Sequence, residues 1–253
     1  MLIDSHCHLD AEAFDRDRAQ VVARARCAGV TTQVVPATTA AGWPRLREVC
    51  QQSPGLFPAY GLHPVFLTEH RDEDLAALET WIQRERPCAL GECGLDFFID
   101  DLDRERQRQV FTAQLELART HDLPVIVHAR RAVDAVIAAI RAVGRVRGVV
   151  HSFSGSPEQA AQLYRKGFLL GLGGPVTYDR ARRLHRLVRE MPLERLLLET
   201  DAPDQPDAGI RGQRNEPARL AEIAAHVAQL RGIDVEELAA VTTANARALF
   251  DLP

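Results

Sequence analysis

The chain has 253 residues, 46% of them hydrophobic and 26% charged, an ordinary globular balance and enough length for one large α/β domain. Its formal net charge of −4 argues against a protein that coats long nucleic acid, so any such contact must be local to a site. No apolar run approaches a membrane span, and Asp4 and His6 interrupt the apolar start a signal peptide needs, so a cytoplasmic protein that binds no membrane is expected.

Candidate strands alternate with helical stretches from end to end. The first, LIDSHCH, ends in two histidines flanking a cysteine, with Asp4 and Asp10 on either side. Period-two alternation puts His6 and His8 on one face of a strand and Cys7 on the other. Alone, the stretch leaves open a metal cradle, a thiolate site or hydrogen-bonded histidines. The five cysteines are odd in number and include no C-x-x-C pair, which argues for buried reduced thiols. TTQVVPA, FPAYGLHP and CALGECG follow as strands. DRERQRQVFTAQLELARTHD then reads as a helix, with Phe111, Leu115 and Ala118 at i, i+4 and i+7 and its charges on a solvated face.

PVIVHAR and GVVHSFS are the next strands. Ser156-Pro157-Glu158-Gln159 marks a helix start, combining a capping box with proline at the first helical position. FLLGLGG and LLLETDAP complete the strands. EPARLAEIAAHVAQLRG reads as a helix through Leu220, Ile223, Ala224 and Val227. Gly29, Gly144, Gly167 and Gly232 sit where helices should stop. This alternation predicts an α/β fold, a closed eight-stranded parallel β/α (TIM) barrel forming a single domain over residues 1–253. No G-x-G-x-x-G follows the first strand, which weighs against a dinucleotide-binding sheet.

In such a barrel the carboxyl ends of the strands form the active-site face. His6 and His8 end the first strand, His63 the third, Glu92 the fourth, His128 the fifth, His151 the sixth and Asp201 the eighth. His70, His121, His185 and His226 fall on helices or loops and read as surface or capping residues. The metal candidates, His6, His8, His128 and His151 with Glu92 and Asp201, exceed the needs of one tetrahedral ion. They suit two divalent ions sharing a carboxylate, with Glu92 the expected bridge. Such ions lower the pKa of water toward neutrality and so supply hydroxide, which Asp201 is expected to orient or deprotonate while also binding metal. Zn2+ and Mn2+ suit imidazole with carboxylate, and Mg2+ prefers an oxygen-rich shell; all three are candidates.

DSHCHLD, GLHP, GECGLD, HSFSGS, ETDAP and RNEP, in that order over essentially the whole chain, resemble the TatD family of metal-dependent hydrolases. That family is a barrel group of the amidohydrolase superfamily and includes deoxyribonucleases with 3′→5′ exonuclease activity. The resemblance implies metal ligands at His6, His8, Glu92, His128, His151 and Asp201, the set the strand ends select, and a substrate-phosphate contact from His63. ETDAPDQP lacks the tyrosine that many members carry after this motif and looks like the YjjV-type branch, which puts the nucleic-acid contact of that loop in question. Cys93 stands where isoleucine is common and Ser152 where cysteine is common; alternation should turn both away from the metal face.

Arg130 follows His128 by two residues, and Arg211 and Arg214 lie in the loop after Asp201. All three are candidate phosphate contacts, because guanidinium groups form paired hydrogen bonds with phosphate oxygens. The competing expectation is that they tie loops together. Asp4, Asp96 and Glu199 are candidates to hold ligand histidines or loops. The leading reading is a phosphodiesterase acting on nucleic-acid ends, single-stranded DNA above all, or on a small phosphodiester, because a narrow mouth admits an unpaired end. An amidohydrolase or lactonase acting on a small carbonyl substrate is the alternative, and it would need no arginines. A metal-loaded scaffold without turnover is a third class.

Overall fold

The computed structural model describes residues 1–253. Short, mostly buried runs, several of them rich in valine and leucine, form the strands. They are β1 (Leu2–Asp4), β2 (Val30–Pro36), β3 (Leu56–Tyr60), β4 (Ala89–Asp96), β5 (Val125–Arg130), β6 (Gly148–Val150), β7 (Leu169–Leu172) and β8 (Leu196–Leu198). Neighbours in the sheet follow chain order and every pair is parallel. Beyond the last ladder residues the first and eighth segments still meet. Ser5 N donates to Leu198 O at 3.0 Å, Asp201 N to His6 O at 2.8 Å, and His8 N to Ala202 O at 2.7 Å. The result is a nearly closed TIM barrel, with helices between the strands, as expected.

The helices are α1 (Arg18–Cys27), α2 (Trp43–Gln52), α3 (Glu73–Glu85), α4 (Arg104–Thr120), α5 (Val133–Val143), α6 (Pro157–Arg165), α7 (Arg182–Glu190), α8 (Leu220–Arg231) and α9 (Val235–Phe250). Ser156 caps α6 in the expected box with Gln159. Gly144 and Gly232 stop α5 and α8 at φ 82° and 67°, backbone values that cost other residues a steric clash. No helix is long and apolar enough to cross a membrane.

Two apolar layers follow from the period of two. Val125, Val127, Leu196 and Leu198 face outward into the large core shared with the helices. Between them Ile126 and Leu197 face inward and join Ile3, Val34, Ala59, Ala89, Val149 and Leu169, one residue from every strand. Ala246, Leu249 and Phe250 of α9 close this inner layer from below. Above it the inward positions become polar.

Helix α4 fixes two strand ends at that polar level. Phe111, Leu115 and Ala118 are buried as the periodicity predicts, and so are two glutamines one heptad apart, Gln107 and Gln114. Gln114 exchanges hydrogen bonds with Leu62 (N to Oε1 2.8 Å, Nε2 to O 3.0 Å), and Gln107 does the same with Asp96 (2.8 and 2.9 Å). Each amide satisfies a backbone pair that the sheet leaves open, immediately before His63 and at the end of β4.

Candidate active site

The mouth of the barrel is a cavity of about 760 Å³ with Glu92, His63, His128, His151 and Asp201 in its wall. Glu92 is buried between two pairs of imidazoles. Its Oε2 lies 3.1 Å from His6 Nε2 and 3.5 Å from His8 Nε2. Its Oε1 lies 3.1 Å from His128 Nδ1 and 2.8 Å from His151 Nε2. Asp201 Oδ1 joins the first pair, 3.3 Å from His6 and 3.6 Å from His8. Within each pair the two nitrogens are 3.2 Å apart.

The outer nitrogens decide what the inner ones present. His8 Nδ1 donates to the Pro36 carbonyl at 3.1 Å, and His128 Nε2 donates to Asp96 Oδ2 at 2.9 Å. His151 Nδ1 faces Glu199 Oε1 at 3.6 Å. A neutral imidazole has one N–H, so His8 and His128 turn a lone pair inward. A nitrogen lone pair facing carboxylate oxygens and a second nitrogen is repelled unless a proton or a cation lies between them. The donor set therefore fits divalent metal: His6, His8, Glu92 and Asp201 could hold one ion, and His128, His151 and Glu92 another. Sets of three that meet closely enough to share an ion include His6 with His8 and Glu92, and Glu92 with His63 and His128.

The charge balance points the same way. Burial opposes charge on these groups, but Asp201 and Glu92 outweigh it at His8, whose imidazole is pushed up to about 9. At His128 the opposing groups are Asp96 and Glu92, and at His151 they are Glu92 and Glu199; both imidazoles are raised. Burial would likewise protonate the acids. Instead His63, His151 and His6 hold Glu92 well below the usual carboxylate range, and His8, His6 and His151 hold Asp201 down to about 2. Two fixed anions thus draw positive charge into a buried space.

His63 behaves differently. Its Nδ1 accepts the Val65 N–H at 3.1 Å, so its Nε2 carries the proton and donates to Glu92 Oε1 at 3.0 Å. Burial lowers its pKa to about 4, which keeps it a neutral donor. His70, read as a surface or capping residue, is the C-cap of the short 3-10 helix that follows His63 (Pro64–Glu69), and its Nε2 donates to the His63 carbonyl at 2.7 Å.

The family is decided by sequence over almost the full length. The pattern of the family described as TatD related DNase matches residues 3–251. This chain belongs to the TatD family. It is 41% identical to an uncharacterized metal-dependent hydrolase, YjjV of Escherichia coli K12, over 99% of this chain and 98% of that one. The crystal structure of that YjjV superposes with a TM-score of 0.96 at 39% identity, covering 100% of this chain and 98% of the other. A relative from Erwinia tasmaniensis named 3′-5′ ssDNA/RNA exonuclease TatD is 35% identical over 99% of this chain and all of its own length, 100%. This TatD-family chain is a metal-dependent hydrolase by that kinship.

The structure brings His6, His8, Glu92, His128, His151 and Asp201 together, with His63 beside them and Arg130 on the same cavity. It does not bring in the other two arginines. Arg214 grips Asp17 by both terminal nitrogens, 2.8 and 2.7 Å, and also donates to Ala13 O. Arg211 is exposed and does not line the active-site cavity. A loop that must pack back onto α1 uses its guanidinium for that purpose, and Arg24 with Glu216 repeats the tie alongside, at 2.6 Å. Asp96 holds His128, whereas Asp4 holds backbone: it accepts from His6 N and Thr200 N at 3.2 and 3.0 Å.

Ser152 is a correction. It lines the cavity rather than turning away, because β6 ends at Val150 and a left-handed residue (φ 45°) breaks the alternation. Its hydroxyl donates to Gln205 Oε1 at 2.8 Å, and the Gln205 amide donates to Asp201 Oδ2. Gln205, in the unusual DAPDQP segment, is a site residue that sequence reasoning passes over. Its signal was the departure itself. Cys93 is buried, its thiol on Ile126 O, as alternation predicts.

Proposed function

We propose that this chain is a phosphodiesterase that removes nucleotides from the 3′ end of single-stranded nucleic acid, with Glu92 shared between two divalent ions. The observation that carries the reading is one buried carboxylate engaged by a different histidine pair on each oxygen, with a neutral N–H donor and an unpaired guanidinium on the same cavity. A bound divalent ion acts as a Lewis acid and makes water a stronger acid. The imidazole-rich donor set favours zinc or manganese over magnesium.

The chain's own residues supply the rest. The His63 N–H can pass from Glu92 to a substrate oxygen without any change of protonation. Arg130 pairs with no carboxylate, so its guanidinium is free for a phosphate. Asp201, held as an anion with Oδ2 fixed by Gln205, presents Oδ1 toward the histidines and can accept a proton from an attacking water. The named exonuclease relative supports nucleic acid as the substrate class.

The test is the purified protein with Mg, Mn or Zn on 3′- and 5′-labelled DNA and RNA, alongside simple amides and lactones. Release of the 3′ label in the first cleavage and stepwise shortening of the 5′-labelled strand are expected. Amide or lactone turnover without phosphodiester cleavage would replace this reading with a carbonyl hydrolase. Glu92→Ala should lose both bound metal and activity; wild-type protein that never holds more than about one ion per chain would end the shared-carboxylate mechanism.

A further inference from the structure

Phe98 is one of three large hydrophobic side chains left exposed, with Met1 and Val235, and the only aromatic one. It stands beside the active site. The Arg130 guanidinium lies 3.7 Å from its ring centre and the Arg131 guanidinium 4.7 Å. Arg130 lines the catalytic cavity and Arg131 a second cavity of about 530 Å³; Ala129 and Ser154 are common wall to both. The second cavity carries Arg131 and Arg183 against one carboxylate, Asp134, which already accepts from Gln159 at 2.8 Å. Neither arginine is paired with an acid. The acidic tip residues Asp100 and Asp101 line neither cavity, and Asp100 faces Arg104 at 3.8 Å.

The segment that carries this ring is firmly anchored. Asp96 Oδ1 accepts the Phe98 and Ile99 N–H groups at 2.9 and 3.3 Å while its Oδ2 holds His128, and Phe97 N donates to Arg130 O at 2.9 Å. One carboxylate therefore sets both a proposed metal ligand and the exposed ring. An exposed ring flanked by unpaired guanidinium groups serves neither the core nor an ion-pair network. It is the combination that binds single-stranded nucleic acid, whose bases stack on aromatics while arginine takes the backbone.

We propose that Phe98, Arg131 and Arg183 form a nucleotide subsite beside the active site: the ring stacks the base next to the terminal nucleotide, and the arginines hold the following phosphate. The inference rests on the phosphodiesterase reading and sharpens it, because a small phosphodiester would not reach this subsite.

The test compares wild type, Phe98→Ala, Phe98→Trp and Arg131→Ala on a single-stranded tetranucleotide and on bis(p-nitrophenyl) phosphate. Phe98→Ala should lower the ratio of tetranucleotide to small-ester kcat/KM by about tenfold or more, the size of one lost stacking contact. Phe98→Trp should restore it. Arg131→Ala should lower the ratio and flatten its salt dependence. A ratio unchanged in Phe98→Ala, or lost equally in Phe98→Trp, overturns the subsite. Fluorescence polarisation with labelled oligothymidylate and oligouridylate keeps the two readings apart. If wild type cleaves neither substrate, the phosphodiesterase reading fails, and equal binding by wild type and Phe98→Ala then removes the subsite as well.

Discussion

Cys7 lies fully buried in the outer core, while His6 and His8 on either side of it reach Glu92. One residue of phase separates packing from chemistry. Cys7→Ser places a hydroxyl in an apolar layer and should lower stability by about 1–3 kcal/mol while leaving bound metal in place. His6→Ala or His8→Ala should lose metal with a smaller change in folding. Metal content after desalting, set beside a thermal melt, separates these outcomes; metal lost in Cys7→Ser would mean the thiol belongs to the site. Phase was legible in the sequence because the segment past β1 stays tied to its neighbours, Cys7 N to Val34 O and His8 N to Ala202 O, with His6 and His8 reaching Glu92 and Cys7 in the core between them. Ser152 was not, since a left-handed backbone angle cannot be read from HSFSG. Nor could the tautomers of His8 and His63 be read, because Pro36 O and Val65 N fix them.

Among the elements, the loop after β8 shows why a charged residue near a motif is weak evidence of a ligand contact. RNEP supplies Arg214 to Asp17, and the next arginine, Arg219, grips buried Asp207 at 2.7 and 2.9 Å. Burial would raise the Asp207 carboxyl, but the Arg219 contact outweighs it and holds the group below its ordinary value. A depressed carboxyl stabilises the fold above its unfolded pKa of about 3.9, and that contribution is lost as pH falls through the folded value. Asp207→Asn should therefore cost about 2 kcal/mol at neutral pH, and the gap to wild type should close in acid. Urea melts at neutral and acid pH measure this. A gap that widens in acid would show that Asp207 stabilises by another route. The alternation of strands and helices made these elements readable. Their ties were hidden because Asp17 and Arg214 lie at opposite ends of the chain.

Over the whole molecule, the barrel divides into an apolar base and a charged mouth, and the two ends are built by different rules. The inner layer takes one residue from each strand, and α9 seals it with Leu249 and Phe250. That closing helix gave little sequence signal, because Thr242 and Thr243 occupy buried positions and satisfy their hydroxyls on Leu238 O and Met1 O at 2.9 and 3.0 Å. Neither hydroxyl fits an apolar stripe. At the mouth the reverse holds: polar strand ends are conspicuous in sequence, and their convergence follows once the barrel is assumed. Phe250 packs in the inner apolar layer and does not line the active-site cavity, so Phe250→Ala should act on stability alone. The loss should be about 3–5 kcal/mol, the ordinary cost of emptying a buried phenylalanine site. Metal stoichiometry and kcat/KM below the melting transition should match wild type, because distant sites add independently. A fall in metal binding would show instead that the base of the barrel sets the spacing of the strand ends at its mouth.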